Sequence, residues 1–135
     1  MKIVVIDGQG GRIGKLVIEK IQELCINHDL IAIGTNSLAT AAMIKAGAKK
    51  AATGENPVVV NVRNADIIIG PIGIIMANSL LGEVTEKMAI ATSSSDAYKI
   101  LIPVSKCNHK VIGLKELNID EYIELVYNEV KAILG

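Results

Sequence analysis

The segment Gly8-Gln9-Gly10-Gly11-Arg12-Ile13-Gly14 carries four glycines in seven residues, directly after the apolar run Ile3-Val4-Val5-Ile6. That is the order in which an α/β protein builds a phosphate site. Glycine permits a tight turn and lets a phosphate reach the backbone, while the N-terminus of a following helix offers free N–H groups and a partial positive charge. Read at Gly8, Gly11 and Gly14, the spacing is G-x-x-G-x-x-G. The loop is therefore expected to hold a nucleotide or small phosphorylated ligand, walled further by Thr35, Asn36 and Gly70-Pro71-Ile72-Gly73. Arg12, in the first helical turn, either adds charge to the bound phosphate or is an ordinary solvated side chain.

Other residues carry weaker signals. Asp7 stands just before the loop, where it would hold a metal, accept a proton, or cap the loop's own N–H groups. The cap is favoured, because the second Asp two residues on, found in haloacid-dehalogenase-type phosphatases, is Gln9 here. About twenty residues beyond the loop, NAD-binding domains usually carry an acid for the ribose hydroxyls. This chain reads Gly34-Thr35-Asn36-Ser37 there, without an Arg for a 2′-phosphate, so neither NAD nor NADP is favoured. NAD(P) or another nucleotide remains open as the cofactor. Cys107 and His109, two residues apart, form a thiol and base pair if a nucleophile exists, against the plainer reading of a packed Cys and a surface His. One Cys and one His fall short of a zinc site, and no metal is expected. Cys25 belongs to an apolar stripe. Tyr127 and Lys131 match the spacing of the short-chain dehydrogenase pair but sit near the end of the last helix, too late in the chain to reach a cofactor. Ser93-Ser94-Ser95-Asp96 reads as a cap and turn, since no nucleophile-elbow spacing surrounds it.

The elements that must position these residues alternate. Ile3 to Ile6 is a β-branched run suited to a central parallel strand with both faces covered. Ile13, Val17, Ile21 and Cys25 then mark an amphipathic helix. Leu30 to Gly34 is the second strand, and Asn36 or Ser37 caps an Ala-rich helix ending near Gly47. Ala48 to Ala52 is a third strand whose Lys49 and Lys50 suit an edge. Asn56-Pro57 is expected to cap and begin a helix, and Asp66 to Gly70 to form the fourth strand. Ile74 to Leu81 and Thr85 to Ala91 read as two short helices split by Gly82. Lys99 to Val104 is the fifth strand, with Val111 to Leu114 as a candidate returning strand, and Asn118 with Glu121 forms a capping box for the last helix. The pattern predicts one Rossmann-like domain over residues 1–135, a doubly wound, mostly parallel sheet with room for a terminal antiparallel strand.

Composition narrows the setting. Half of the 135 residues are apolar, enough for one core, and fourteen basic side chains balance fourteen acidic ones. That balance argues against nucleic acid and anionic membrane as partners, and three Tyr with no Trp or Phe leave few stacking platforms for bases. Neither a cleavage-site pattern nor an uninterrupted span-length apolar stretch appears, and two cysteines form no disulfide framework, so a cytoplasmic protein is expected.

Two resemblances add to this reading. The loop alone looks like the G-x-x-G-R-M-G loop of dihydrodipicolinate reductases. Over most of its length the chain resembles a family of short bacterial proteins catalogued as domain of unknown function 3842. The matching stretches are Ile6-Asp7-Gly8-Gln9-Gly10-Gly11, Ala52-Thr53-Gly54-Glu55-Asn56, Ala65-Asp66-Ile67-Ile68, Gly70-Pro71-Ile72-Gly73 and Ile102-Pro103-Val104-Ser105-Lys106-Cys107-Asn108. That family implies the fold and no reaction. An NAD(P)-dependent reductase-like enzyme is the alternative; since the chain has no residues for a substrate domain, it would act as a homodimer or with a partner protein. A non-catalytic regulatory or interaction module is the other.

Overall fold

The computed structural model describes residues 1–104 and 108–135. Five parallel strands, β1 (Lys2–Asp7), β2 (Asp29–Gly34), β3 (Lys50–Thr53), β4 (Ile67–Pro71) and β5 (Tyr98–Ile102), form one sheet in the order β3-β2-β1-β4-β5. Five helices connect or follow them: α1 (Arg12–Ile21), α2 (Ser37–Lys45), α3 (Glu55–Val62), α4 (Glu86–Ser94) and α5 (Ile119–Leu134). The fold is an α/β sheet of Rossmann-like, doubly wound type.

The central strands explain their own sequence. Side chains of a strand alternate between faces, so a strand covered on both sides must be apolar at every position. On one face Ile3, Val5, Ala32, Ile67, Ile69 and Ile102 bury against Val17, Ile18 and Ile21 of α1, Met43 of α2, and Ile123, Val126 and Val130 of α5. On the other, Val4, Ile6, Ile33 and Ile68 meet Val58 and Val62 of α3 and Met88 and Ala89 of α4. Cys25 ends the first helical stretch inside the first of these cores, as its place on the apolar stripe requires, and burial pushes its thiol up to about 11. The two edge strands are more exposed; on β3, Lys50 reaches Asp29 of β2 at 2.6 Å.

Several elements differ from the sequence reading. The third strand starts at Lys50, two residues later than Ala48, because Ala48 itself turns into the core. Gly54, not Asn56, precedes the first turn of α3. Ile74 to Leu81 is not a helix: a short 3₁₀ turn, Ile72–Ile75, gives way to tight turns in which Asn78, Leu80 and Leu81 all take left-handed backbone angles. Its apolar residues are needed individually, Leu80 inward and Leu81 outward, rather than as a helical stripe. Val111 to Leu114 forms no strand among the described residues, and no antiparallel strand joins the sheet there; Ile112 is 84% exposed and has no sheet face to cover. No helix among the described residues is long and apolar enough to cross a membrane.

Gly70 in β4 is one of the sheet's tight points. A Cβ there would collide with the Ile6 carbonyl of β1 and approach Ile74 Cδ1 to 2.9 Å. Backbone cannot yield as a side-chain tip can. Gly70→Ala is therefore expected to lower unfolding free energy by roughly 1–3 kcal/mol, the usual range for overpacking. Gly10→Ala, with nothing within 4 Å of the added methyl, should stay within about 0.5 kcal/mol of wild type. Urea denaturation of the two variants measures both values.

Candidate functional site

The order of the strands creates the site. β1 lies at the centre, with successive crossovers running outward on one face through α1 and α2 and on the other through α3 and α4, so β1 and β4 flank a switch point. Crevices at the carboxyl ends of strands form at such points. Here a cleft of about 310 Å³ is lined by Asp7, Gly8, Gln9, Gly10, Gly11, Arg12 and Ile13, and closed by Pro71, Leu80, Val104 and Ile119. The glycine loop thus forms one continuous wall. A larger depression of about 650 Å³ lies beside α4, where the Thr85 hydroxyl donates to Glu55 at 2.6 Å.

Asp7 sets the shape of the loop. Its side chain is 4% exposed, and its two carboxylate oxygens accept from the N–H groups of Gly8 at 2.8 Å and Gly14 at 2.7 Å. Gly14 is the third residue of α1, so a carboxylate from the end of β1 caps the helix that β1 feeds. Gly11, the residue before the helix, takes φ 74° and offers no side-chain cap of its own. Burial pushes the Asp7 carboxyl above its ordinary value, against the pull of the Gly14, Gly8 and Ile13 N–H groups, and the nearby Glu83 charge pushes the same way. The cap reading of Asp7 is the one the geometry supports.

Glu83 was invisible in the sequence as a site residue. It follows the turns after β4, yet its Oε1 accepts from the Gln9 N–H at 2.9 Å, the Thr35 hydroxyl at 2.7 Å and the Asn36 side-chain amide at 2.7 Å. Partial burial works to raise its pKa, but these three donors outweigh it and hold the carboxyl below its ordinary value. The only signal available was local: Gly82-Glu83 ahead of the Thr85 cap offers an acid at a turn, without saying where it lands.

The structure sorts the remaining candidates. Gly8 to Ile13 and Pro71 line the cleft, whereas Thr35 and Asn36 turn to Glu83, with Asn36 also donating to the Gln9 carbonyl and capping α2 through the Ala39 N–H. Gly14 packs against Met43 and Asp7; Gly70 is buried in β4, and Ile72 and Gly73 begin the turns that carry Glu83. Arg12 is exposed at the mouth. Cys107 lies outside the described residues. His109 is exposed and is not part of the cleft wall. Tyr127 carries the Lys20 and Lys131 ammonium groups at 5.3 and 5.9 Å from its ring centroid, with Lys20 in the last turn of α1, the end of that helix opposite the loop. Ser95 ties the end of α4 down by donating to the Val62 carbonyl at 2.6 Å, as a turn residue should. Among the described residues, no three His, Cys, Asp or Glu side chains group closely enough to hold a metal ion.

A parallel sheet with helices on both faces and a glycine loop at its switch point defines a Rossmann-like protein. The chain belongs to the family described as domain of unknown function DUF3842, whose model matches residues 2–135. Comparison with curated proteins and with solved structures finds no match.

The Asp7 geometry makes two predictions. Asp7→Ala leaves the Gly8 and Gly14 N–H groups without their acceptor and should lower stability by roughly 1–3 kcal/mol, read by urea denaturation. The pH dependence has a definite sign. Because the folded pKa lies above 3.8, the folded state holds the proton more tightly than the unfolded chain. That contribution is fully present below 3.8 and is lost as pH rises through the raised folded value. On acidification from neutral pH, wild type should therefore gain stability relative to Asp7→Asn, in the same assay; a paired carboxylate with a lowered pKa would do the opposite.

Proposed function

We propose that this protein binds a nucleotide or small phosphorylated ligand in the cleft beside the glycine loop. The observation that carries the reading is the state of the loop's N–H groups. Those of Gly8, Gln9, Gly11 and Gly14 donate to Asp7, Glu83, the Gly8 carbonyl and Asp7 respectively. Those of Gly10 and Arg12 have no acceptor among the described residues, and both residues face the cleft. Two N–H groups and the positive end of α1 lie at one opening that Arg12 also lines, which is the donor set an anionic oxygen needs. With this reading go the cytoplasmic, bacterial setting and the homodimer expected from the sequence.

A thermal-shift series with orthophosphate and phosphate esters tests it. A ligand at a hundred times its dissociation constant should raise stability by ~2.7 kcal/mol. Gly10→Asp puts a carboxylate into open space beside the two N–H groups, so the fold should persist by circular dichroism while the shift disappears. Arg12→Ala should weaken binding by about tenfold, the effect of one charge-assisted hydrogen bond. An undiminished shift in Gly10→Asp would move the ligand elsewhere.

A further inference from the structure

Glu83 and Leu80 stand where a dinucleotide would have to lie. In a Rossmann-like sheet such a ligand crosses the carboxyl ends of the strands, its pyrophosphate at the first helix and a ribose diol at the end of β2. At the end of β2 this protein has Thr35 and Asn36, and both give their side-chain donors to Glu83 Oε1. Over β1, Leu80 is 5% exposed and presses on Gly8: a Cβ built on Gly8 would lie 2.8 Å from Leu80 Cδ1, 3.0 Å from Glu83 Oε1 and 2.6 Å from Thr35 Oγ1. A ligand atom has no more room there than that methyl.

We infer that Glu83 and Leu80 close the β2 half of the sheet edge and make the site selective for compact phosphate esters over dinucleotides. This rests on the phosphate reading above and narrows its ligand. The cover is built to stay in place. Asn78 N–H donates to the Val84 carbonyl at 2.7 Å, Val84 N–H to the Ser79 carbonyl at 3.2 Å, and the Ser79 hydroxyl to the Gly73 carbonyl, so both ends of the 78–84 loop are pinned. To enter, a dinucleotide must break three hydrogen bonds to a carboxylate, which is discrimination by cost to the wrong ligand. Among the described residues, what stays open is the β4 side of Leu80. Its volume of about 310 Å³ lies at the small end of the range for ligand pockets. The apolar walls Pro71, Leu80, Val104 and Ile119 suit a short carbon body behind a phosphate.

The experiment is calorimetric titration of ribose 5-phosphate and of NAD into the full chain, as wild type, Glu83→Gln and Glu83→Ala, each checked for folding by circular dichroism. Ribose 5-phosphate should bind wild type more tightly than NAD by about tenfold or more, the scale of a lost bond to a charged group. Glu83→Gln keeps a side-chain oxygen for the three donors and should keep most of that preference. Glu83→Ala removes the acceptor and should bring the two affinities together. If NAD binds wild type as tightly as ribose 5-phosphate, the cover is overturned while the phosphate site stands. An unchanged preference in Glu83→Ala overturns the role of Glu83. Failure of both ligands with all three proteins overturns the phosphate site itself.

Discussion

A carboxylate buried at the end of a central strand must find hydrogen-bond donors or give up its charge, and the way Asp7 meets that demand fixes the geometry around it. Its two oxygens take one N–H from the first residue of the loop and one from the third residue of α1, so the chain leaves β1, turns through Gly11 and re-enters regular structure around a single side chain. The helix dipole favours the charge while burial opposes it. The N-terminus of α1 therefore has its innermost donors already committed, while the N–H groups of Gly10 and Arg12 have no acceptor among the described residues.

The second carboxylate extends the same logic. Glu83 is brought over the loop by turns that are costly in themselves: Asn78, Leu80 and Leu81 are left-handed, and such conformations persist only where surrounding contacts over-determine them. Here those contacts are the pinned ends of the loop, the burial of Leu80 and the three bonds to Glu83 Oε1. Glu83 also ties together the segments that follow β1 and β2, through Gln9 on one side and Thr35 and Asn36 on the other. Glu83 raises the cost of ionising Asp7 at this edge; its own carboxyl is held low by its donors, so Asp7 bears the penalty.

Much of the fold was legible because its signals are local. β-Branched runs covered on both faces can only be central strands, and Asn118 with Glu121 forms both bonds of the capping box that starts α5. Lys49 and Lys50, at the start of the third strand, mark its edge. What failed had tertiary causes. Ile74 to Leu81 has helical content, but the left-handed backbone at Leu80 comes with its packing on Gly8, which no window of sequence connects. Val111 to Leu114 has strand composition, but a strand needs a partner, and β5 takes none on its outer side among the described residues. Glu83 reaches the end of β2 from 48 residues beyond Thr35, a distance only the folded chain closes, and there it accepts from Thr35 and Asn36.

The glycine spacing itself changes meaning once each position is examined. Gly8 makes room for Thr35, Leu80 and Glu83; Gly11 lies against Ala39 of α2 and turns the chain; Gly14 packs on Met43 and Asp7. All three positions of the G-x-x-G-x-x-G pattern are therefore required by the protein's own packing, and the pattern alone would arise in a domain that bound nothing. Gly10, outside that pattern, is the residue of the loop with open space before it and an uncommitted N–H. The first three glycines thus answer to a tight strand-to-helix turn and its packing, and Gly10 answers to neither.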